Sequence, residues 1–364
     1  MLKRFIIFAL FIVAGGWYAG PLYAEAGVQG SLVNQSNTKS FLHPPFVKGK
    51  EGGLENIVVT DDTGRKVSIQ IPVKRVVTLA PSNTDIIKAL GMTSSIVGAS
   101  NTDDNPLPDS VKRVGFVNPS IEEIVSLNPS LVMGIYGEDM VCNRLERLNI
   151  PCIILSPGNL EGVMHDIRLA GRLFSADDRA SAIVETMKQT IDRVQARLSH
   201  CTTEPLVYFE IDGSDPSRPF SAGKGSFIDS LITMAHAVNI AHTTNTLWPQ
   251  LSSEYILARN PDVIIVSDKL DRDALKQRQG WSGIKAIKNK RVYTIDVNLV
   301  SQPGPDIVNA FVAIARDIHP EVFENNNNGT DKSPDPSPAW VPRPFTKGGR
   351  GGIIEQTPEG TNNQ

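Results

Sequence analysis

The spacing of hydrophobic positions changes several times along this chain, and each change predicts an element. Val67, Ile69 and Ile71 alternate with polar residues; with Ile57 to Val59 ahead of the turn Asp62-Thr-Gly64 they predict a β-hairpin. Short apolar runs follow at Val76 to Leu79, Ile96 to Ala99, Leu131 to Ile135 and Cys152 to Leu155. Pro81-Ser82-Asn83 turns the first run into a helix ending at Gly91, and Val141 to Leu148 reads as a second helix. Strands that alternate with helices predict parallel sheet with helices on both faces.

From Ser175 to Leu198 the period becomes helical. Ile183, Val184, Met187, Ile191, Val194 and Leu198 form one stripe, opened by the capping pattern Ser175-x-x-Asp178. At about 1.5 Å per residue this helix is roughly 36 Å long, enough for a strut rather than a crossover within one sheet. The α/β pattern then resumes with strands at Leu206 to Ile211, Val263 to Val266 and Val292 to Ile295, and helices at Ser226 to Ala235 and Pro305 to Ile318. The predicted fold class is α/β: two Rossmann-like lobes with central parallel sheets, joined by one long bridging helix. The expected boundaries are 56–174 for the N-terminal lobe, 175–200 for the bridging helix and 201–323 for the C-terminal lobe. A chain of 364 residues exceeds what one core usually holds, which agrees with two lobes.

One segment occurs twice. Phe116, then five residues, Glu122, five residues, Asn128-Pro129, one residue and an apolar run is matched by Trp248, five residues, Glu254, five residues, Asn260-Pro261, one residue and an apolar run. In the first copy Ser120 and Glu123 form a capping box at a helix start, and Asn128-Pro129 ends that helix because proline disfavours helix in the residue before it. Taken singly, Glu122 and Glu254 read as acidic groups that complement a helix dipole. Their identical placement in both lobes reads instead as two exposed carboxylates that pair with arginines of one partner.

The ends carry a cellular address. Met1-Leu-Lys3-Arg4 is basic, Phe5 to Val13 is apolar, and small residues lead to Ala24 and Ala26: the pattern of a cleavable signal peptide over 1–26. The competing reading, an uncleaved anchor, is disfavoured by an apolar run too short to span a bilayer. No cysteine near the cut offers a lipid attachment point, so a soluble periplasmic protein is expected. Residues 27–55 and 324–364 are polar and rich in glycine, and read as disordered flanks. Both contain Pro-Phe-x-Lys-Gly, at Pro45 to Gly49 and Pro344 to Gly348, read as a repeated genetic element rather than a binding motif. A net charge of −3 leaves no footprint for nucleic acid.

Chemistry for an enzyme is sparse. Ser221-Ala-Gly-Lys224-Gly-Ser226 lacks the first glycine of a phosphate loop and reads as a turn into a helix. His236 and His242 have no carboxylate at ligand spacing and read as surface or loop histidines. The cysteines Cys142, Cys152 and Cys201 match no zinc pattern, and no metal is expected. Cys142 and Cys152 are expected at opposite ends of an α/β unit, hence unpaired. Aromatics remain: Phe116, Tyr136, Phe220 and Trp248 sit in or beside loops at strand or helix ends, where open α/β sheets bind ligands.

Taken together, Val76 to Thr84, Ser120 to Pro129, Phe220 to Phe227, Val238 to Ile240 and Trp248 to Glu254 resemble the bridging-helix class of ABC-transporter substrate-binding proteins, over about residues 57–321. That family captures cobalamin, haem or ferric siderophores, and Trp248-Pro-Gln is most similar to its cobalamin-binding members. The resemblance implies a monomeric, non-enzymatic binding protein with no cofactor of its own. Its cargo would be a corrinoid, with haem or a ferric siderophore as the alternative and an exported enzyme as a remote one. It implies ligand contacts at Ser82, Asn83, Phe116, Tyr136, Phe220, Trp248 and Asp296. It also implies docking of Glu122 and Glu254 onto an ABC permease dimer with its cytoplasmic ATPase subunits. The chain departs from the family pattern at Thr102, where a cleft tyrosine is expected, and at Ala235 and Ala315, where a cysteine pair is expected. A siderophore site would add cationic groups to the cleft, with Arg113, Arg218 and Lys224 as candidates.

Overall fold

The computed structural model describes residues 55–115, 119–267 and 270–324. The signal-peptide segment, both flanking Pro-Phe-x-Lys-Gly motifs and Phe116 lie outside them. The hairpin forms as its alternation requires: β1 (Glu55–Thr60) pairs antiparallel with β2 (Lys66–Ile71).

The first lobe is a five-stranded, all-parallel sheet. Its strands are β3 (Val76–Thr78), β4 (Ile96–Ser100), β5 (Lys112–Val114), β6 (Leu131–Gly134) and β7 (Cys152–Ile154), in the order β5-β4-β3-β6-β7. Both faces are covered, so side chains alternate between two cores. Leu131 and Met133 join one cluster with the hairpin residues Val67 and Ile69, while Val132 joins the other with Ile124 and Leu145. Each fully buried aliphatic side chain contributes about 1.5–3 kcal/mol of transfer free energy. The lobe's helices are α1 (Pro81–Ala89), α2 (Ile121–Ser126), α3 (Asp139–Glu146) and α4 (Leu160–Leu173).

Two sequence expectations fail here. Cys142 and Cys152 form a disulfide, with Cα atoms 5.1 Å apart. Cys142 lies on the inward face of the short α3, four residues before its end and so only about 6 Å along the axis from the turn that leads into β7. Both cysteines are fully buried in one cluster. The second failure is α4, which had no counterpart in the sequence reading although Leu160, Val163, Met164, Ile167, Ala170 and Leu173 form its buried stripe.

Helix α5 (Asp177–Leu198) has 22 residues, roughly 33 Å. It begins two residues later than expected, and the Ser175 capping pattern is not used. Ser175 adopts a left-handed conformation (φ 54°) in the tight turn from α4, and no side chain caps α5. That turn folds α5 back on α4 so closely that a Cβ on Gly171 would strike Ala180. Arg179 Nε donates to the Ala89 carbonyl near one end of α5, and Gln195 Nε2 donates to the Met234 carbonyl near the other. The helix is therefore tied to both lobes.

In the second lobe β8 (Leu206–Asp212), β10 (Val238–Asn239), β11 (Val263–Ser267) and β12 (Val292–Ile295) are parallel, in the order β10-β8-β11-β12, and β9 (Phe220–Ser221) runs antiparallel to β8. Its helices are α6 (Phe227–Met234), α7 (Ser253–Arg259), α8 (Lys285–Lys288), α9 (Val297–Ser301), α10 (Ile307–Ile318) and α11 (Pro320–Glu324). The chain is thus two α/β lobes with a bridging helix. No helix among the described residues is long and apolar enough to cross a membrane.

Candidate functional site

In each lobe the strand order reverses beside the first strand: between β3 and β6 in the N-terminal lobe, and between β8 and β11 in the C-terminal lobe. At such points the loops leaving the carboxyl ends diverge and open a crevice. Both copies of the repeated segment lead into the strand across that reversal, β6 in one and β11 in the other.

The repeat is structural as well as sequential. Ser120 Oγ accepts from Glu123 N at 3.1 Å, and Ser252 Oγ accepts from Tyr255 N at 3.2 Å, so serine caps α2 and α7 in the same way. Glu122 and Glu254 are each the second residue of their helix, and both are exposed. Its own backbone N–H and the Ser120 hydroxyl hold the Glu122 carboxyl below the usual range, so it is anionic. Asn128 and Asn260 end the helices in left-handed conformations, at φ 47° and 48°. The helices stop because asparagine tolerates that reversal, with proline fixing the chain beyond it.

On the C-terminal side, backbone hydrogen bonds bring two candidate aromatics together. Ser221 N donates to Pro249 O, Gly223 N to Leu247 O and Leu251 N to Pro219 O, and Phe220 pairs with Gln250. This register sets Trp248 opposite Ala222, on the face that carries Phe220, because side chains two apart along a strand share a face. Both aromatics are half-buried. Gly223 permits the approach, since a Cβ there would collide with the Thr246 carbonyl oxygen. Ser226 Oγ caps α6 through Asp229 N, so the Ser221 to Ser226 stretch is a turn into a helix.

On the N-terminal side Tyr136 is 67% exposed directly beyond β6, with its backbone N–H held by Ser156 Oγ. Ser82 and Asn83 lie at the start of α1, across the reversal from it, and both are buried. Asn83 Nδ2 donates to the Gly134 carbonyl at 3.1 Å, lacing the loop after β3 to the end of β6. Asp296 is exposed on the opposite lobe, and its Oδ1 caps α9 by accepting from Asn298 N and Asn298 Nδ2.

Three residues were missed at this end of the sheets. Leu247 is 45% exposed beside Trp248, and Met140 is 74% exposed on α3, off the stripe of Cys142 and Leu145. For Met140 the available signal was an apolar residue outside its helix's buried stripe. The third is Glu138, whose Oε2 accepts from Ile135 N at 2.7 Å within the Tyr136 turn. Burial pushes its carboxyl up to about 7. Nothing in its local sequence marks it as buried.

The cationic candidates do not form a cluster. Arg113 Nη1 donates to the carbonyls of Ser100 and Asp103 and Nη2 to that of Asn105, which commits the guanidinium to its own loop. Arg218 and Lys224 are exposed. His242 does have a carboxylate partner, contrary to expectation: Nδ1 lies 3.0 Å from Asp229 Oδ2. The pair was hidden because Asp229 lies on α6, thirteen residues earlier.

Comparison with known proteins agrees with this architecture. The chain is 29% identical over 276 residues to an uncharacterized ABC transporter substrate-binding lipoprotein of Bacillus subtilis, covering 74% of this chain and 87% of that one. It is 23% identical over 249 residues to the vitamin B12-binding protein of Vibrio parahaemolyticus, covering 67% and 88%. Among solved structures, the apo periplasmic heme-binding protein of Roseiflexus sp. RS-1 superposes with a TM-score of 0.60 at 25% identity, covering 68% of this chain and 99% of that one. The family model for periplasmic binding proteins matches residues 76–299, more than half of the chain, and the protein belongs to that family.

Proposed function

We propose that this protein is the substrate-binding component of an ABC importer, acting outside the cytoplasmic membrane after removal of the segment 1–26. It holds a corrinoid between its lobes, delivers it to a permease dimer with cytoplasmic ATPase subunits, and performs no covalent chemistry. The observation that carries the reading is the pairing of Phe220 and Trp248 on one face of the ladder, with Tyr136 exposed at the strand reversal of the other lobe. Flat aromatic area at opposed strand ends suits a large planar macrocycle, because aromatics supply contact area at low entropy cost. Phe116 would complete the set from the first copy of the repeat. Ser82 and Asn83 would shape the floor, and Asp296 would stand at the rim.

Family membership and a vitamin B12-binding relative support this reading. Haem is the second reading, favoured by the heme-binding structural neighbour. A ferric siderophore fits less well, since Arg113 is committed to backbone carbonyls. Calorimetric titration with cyanocobalamin tests the assignment, with saturable one-to-one binding expected. No heat at tens of micromolar would remove the corrinoid, and haem would then be titrated in the same way.

A further inference from the structure

At the far end of the bridging helix lies a cluster that the binding reading does not use. Cys201 follows α5 by three residues, His319 follows α10 directly, and Glu321 is the second residue of α11. One ligand atom from each lies within 4.8 Å of the other two. His319 is fully buried and Cys201 is partly buried. His319 Nε2 is 3.2 Å from the backbone carbonyl of His236, which itself sits in a left-handed conformation (φ 56°).

That carbonyl can only accept, so Nε2 carries the proton. In the neutral ring Nδ1 then presents its lone pair to Glu321 Oε1, 3.2 Å away. Either a proton or a metal ion between them satisfies both acceptors. A histidine whose outer nitrogen is anchored by a backbone carbonyl is also the usual arrangement behind a metal ligand. Two ligand atoms each about 2.0–2.1 Å from a tetrahedral ion are separated by about 3.3–3.4 Å, close to the Nδ1–Oε1 distance.

We propose that Cys201 Sγ, His319 Nδ1 and Glu321 form a three-ligand site for a zinc-class divalent cation, clamping the end of the bridging helix to the last two helices. One thiolate and one carboxylate balance a dication, and a thiolate with an imidazole selects zinc over magnesium or calcium. A water would take the fourth position. Binding a metal through the thiolate displaces the thiol proton, so occupancy weakens as the pH falls. Arg197, over the Phe323 ring at 5.3 Å, joins the same two elements without a metal. Sequence spacing conceals the cluster because Cys201 and His319 stand at opposite ends of the C-terminal lobe's sequence.

The test is Co2+ titration of the mature full-length chain under reducing conditions, followed by Zn2+ competition and thermal unfolding. A cobalt–thiolate charge-transfer band, intense tetrahedral d–d bands and a raised unfolding midpoint are expected. Cys201→Ser should abolish the charge-transfer band, and Glu321→Gln should weaken binding roughly 10–100-fold, the scale on which metal sites respond to altered ligand support. His200→Gln, which alters an exposed neighbour outside the cluster, should change neither. An octahedral spectrum, a band that survives Cys201→Ser, or binding lost in His200→Gln would overturn the proposal. So would failure to bind Co2+, which would mean that a proton bridges His319 and Glu321.

Discussion

The two copies of the repeated segment share their helix and differ in the residues ahead of it. In both, serine caps the helix, glutamate is its second residue, a left-handed asparagine ends it, and the strand beyond lies across the reversal of strand order. Ahead of the helix their sequences differ, Phe-Val-Asn-Pro in the first copy and Trp-Pro-Gln-Leu in the second. The Trp248 loop is laced by three backbone hydrogen bonds to the 219–223 stretch, while the corresponding aromatic of the first copy, Phe116, lies outside the described residues. On the proposed function, what both lobes hold in common would suit one symmetric partner. On that reading we assign the shared helix starts to the transporter and the aromatic loops to the cargo.

The largest effect should come from breaking the shared part. Reversing both charges, Glu122→Arg with Glu254→Arg, should abolish stimulation of the transporter's ATPase in reconstituted vesicles, and either change alone should reduce it. Next comes the part that differs. Trp248→Ala should weaken ligand binding by about 2 kcal/mol, roughly 30-fold, because a large aromatic anchor is lost. Leu247→Ala should cost less.

The pH dependence of stability sharpens the N-terminal side. Burial pushes Glu138 up to about 7 and Asp166 up to about 9, against unfolded values near 4. Between these limits the folded protein keeps protons that the unfolded chain gives up. This stabilisation is complete below about pH 4 and is lost as the pH rises through about 7 and then about 9. Urea unfolding should show the protein more stable at mildly acidic pH than at alkaline pH. Glu138→Gln should roughly halve the slope between about pH 4.5 and 7, removing on the order of 3 kcal/mol of pH dependence and leaving the part due to Asp166.

The smallest effects compare the two asparagines. Asn260→Ala loses a tolerated left-handed residue and also the bond in which Asn260 Oδ1 accepts from Lys285 N. Asn128→Ala loses the first of these. The difference in unfolding free energy should be about 1 kcal/mol, the usual net worth of one hydrogen bond.

Much of this fold was legible because its periods are unmixed. The strand at Val292–Ile295 and the start of β8 fall where the apolar runs place them, and the bridging helix differs from its stripe by two residues at one end. Helix α4 escaped because Gly162 and Gly171 lower its propensity, yet Gly171 is what lets α5 pack against it. The Cys142–Cys152 bridge was missed because it depends on how short α3 is, which composition does not determine. In the site, the aromatics and glutamates were visible as residue types at matched spacing. The ladder that joins Phe220 to the Trp248 loop was not, since strand pairing across unrelated loops leaves no local pattern.

The claim that the repeat divides its work between cargo and transporter is tested most directly by calorimetric titration of the Glu122→Arg, Glu254→Arg variant with cyanocobalamin beside the unaltered protein. The account predicts the same affinity in both, because the two carboxylates face outward at the helix starts. A markedly weaker affinity in the variant would place the glutamates in the cleft and contradict it.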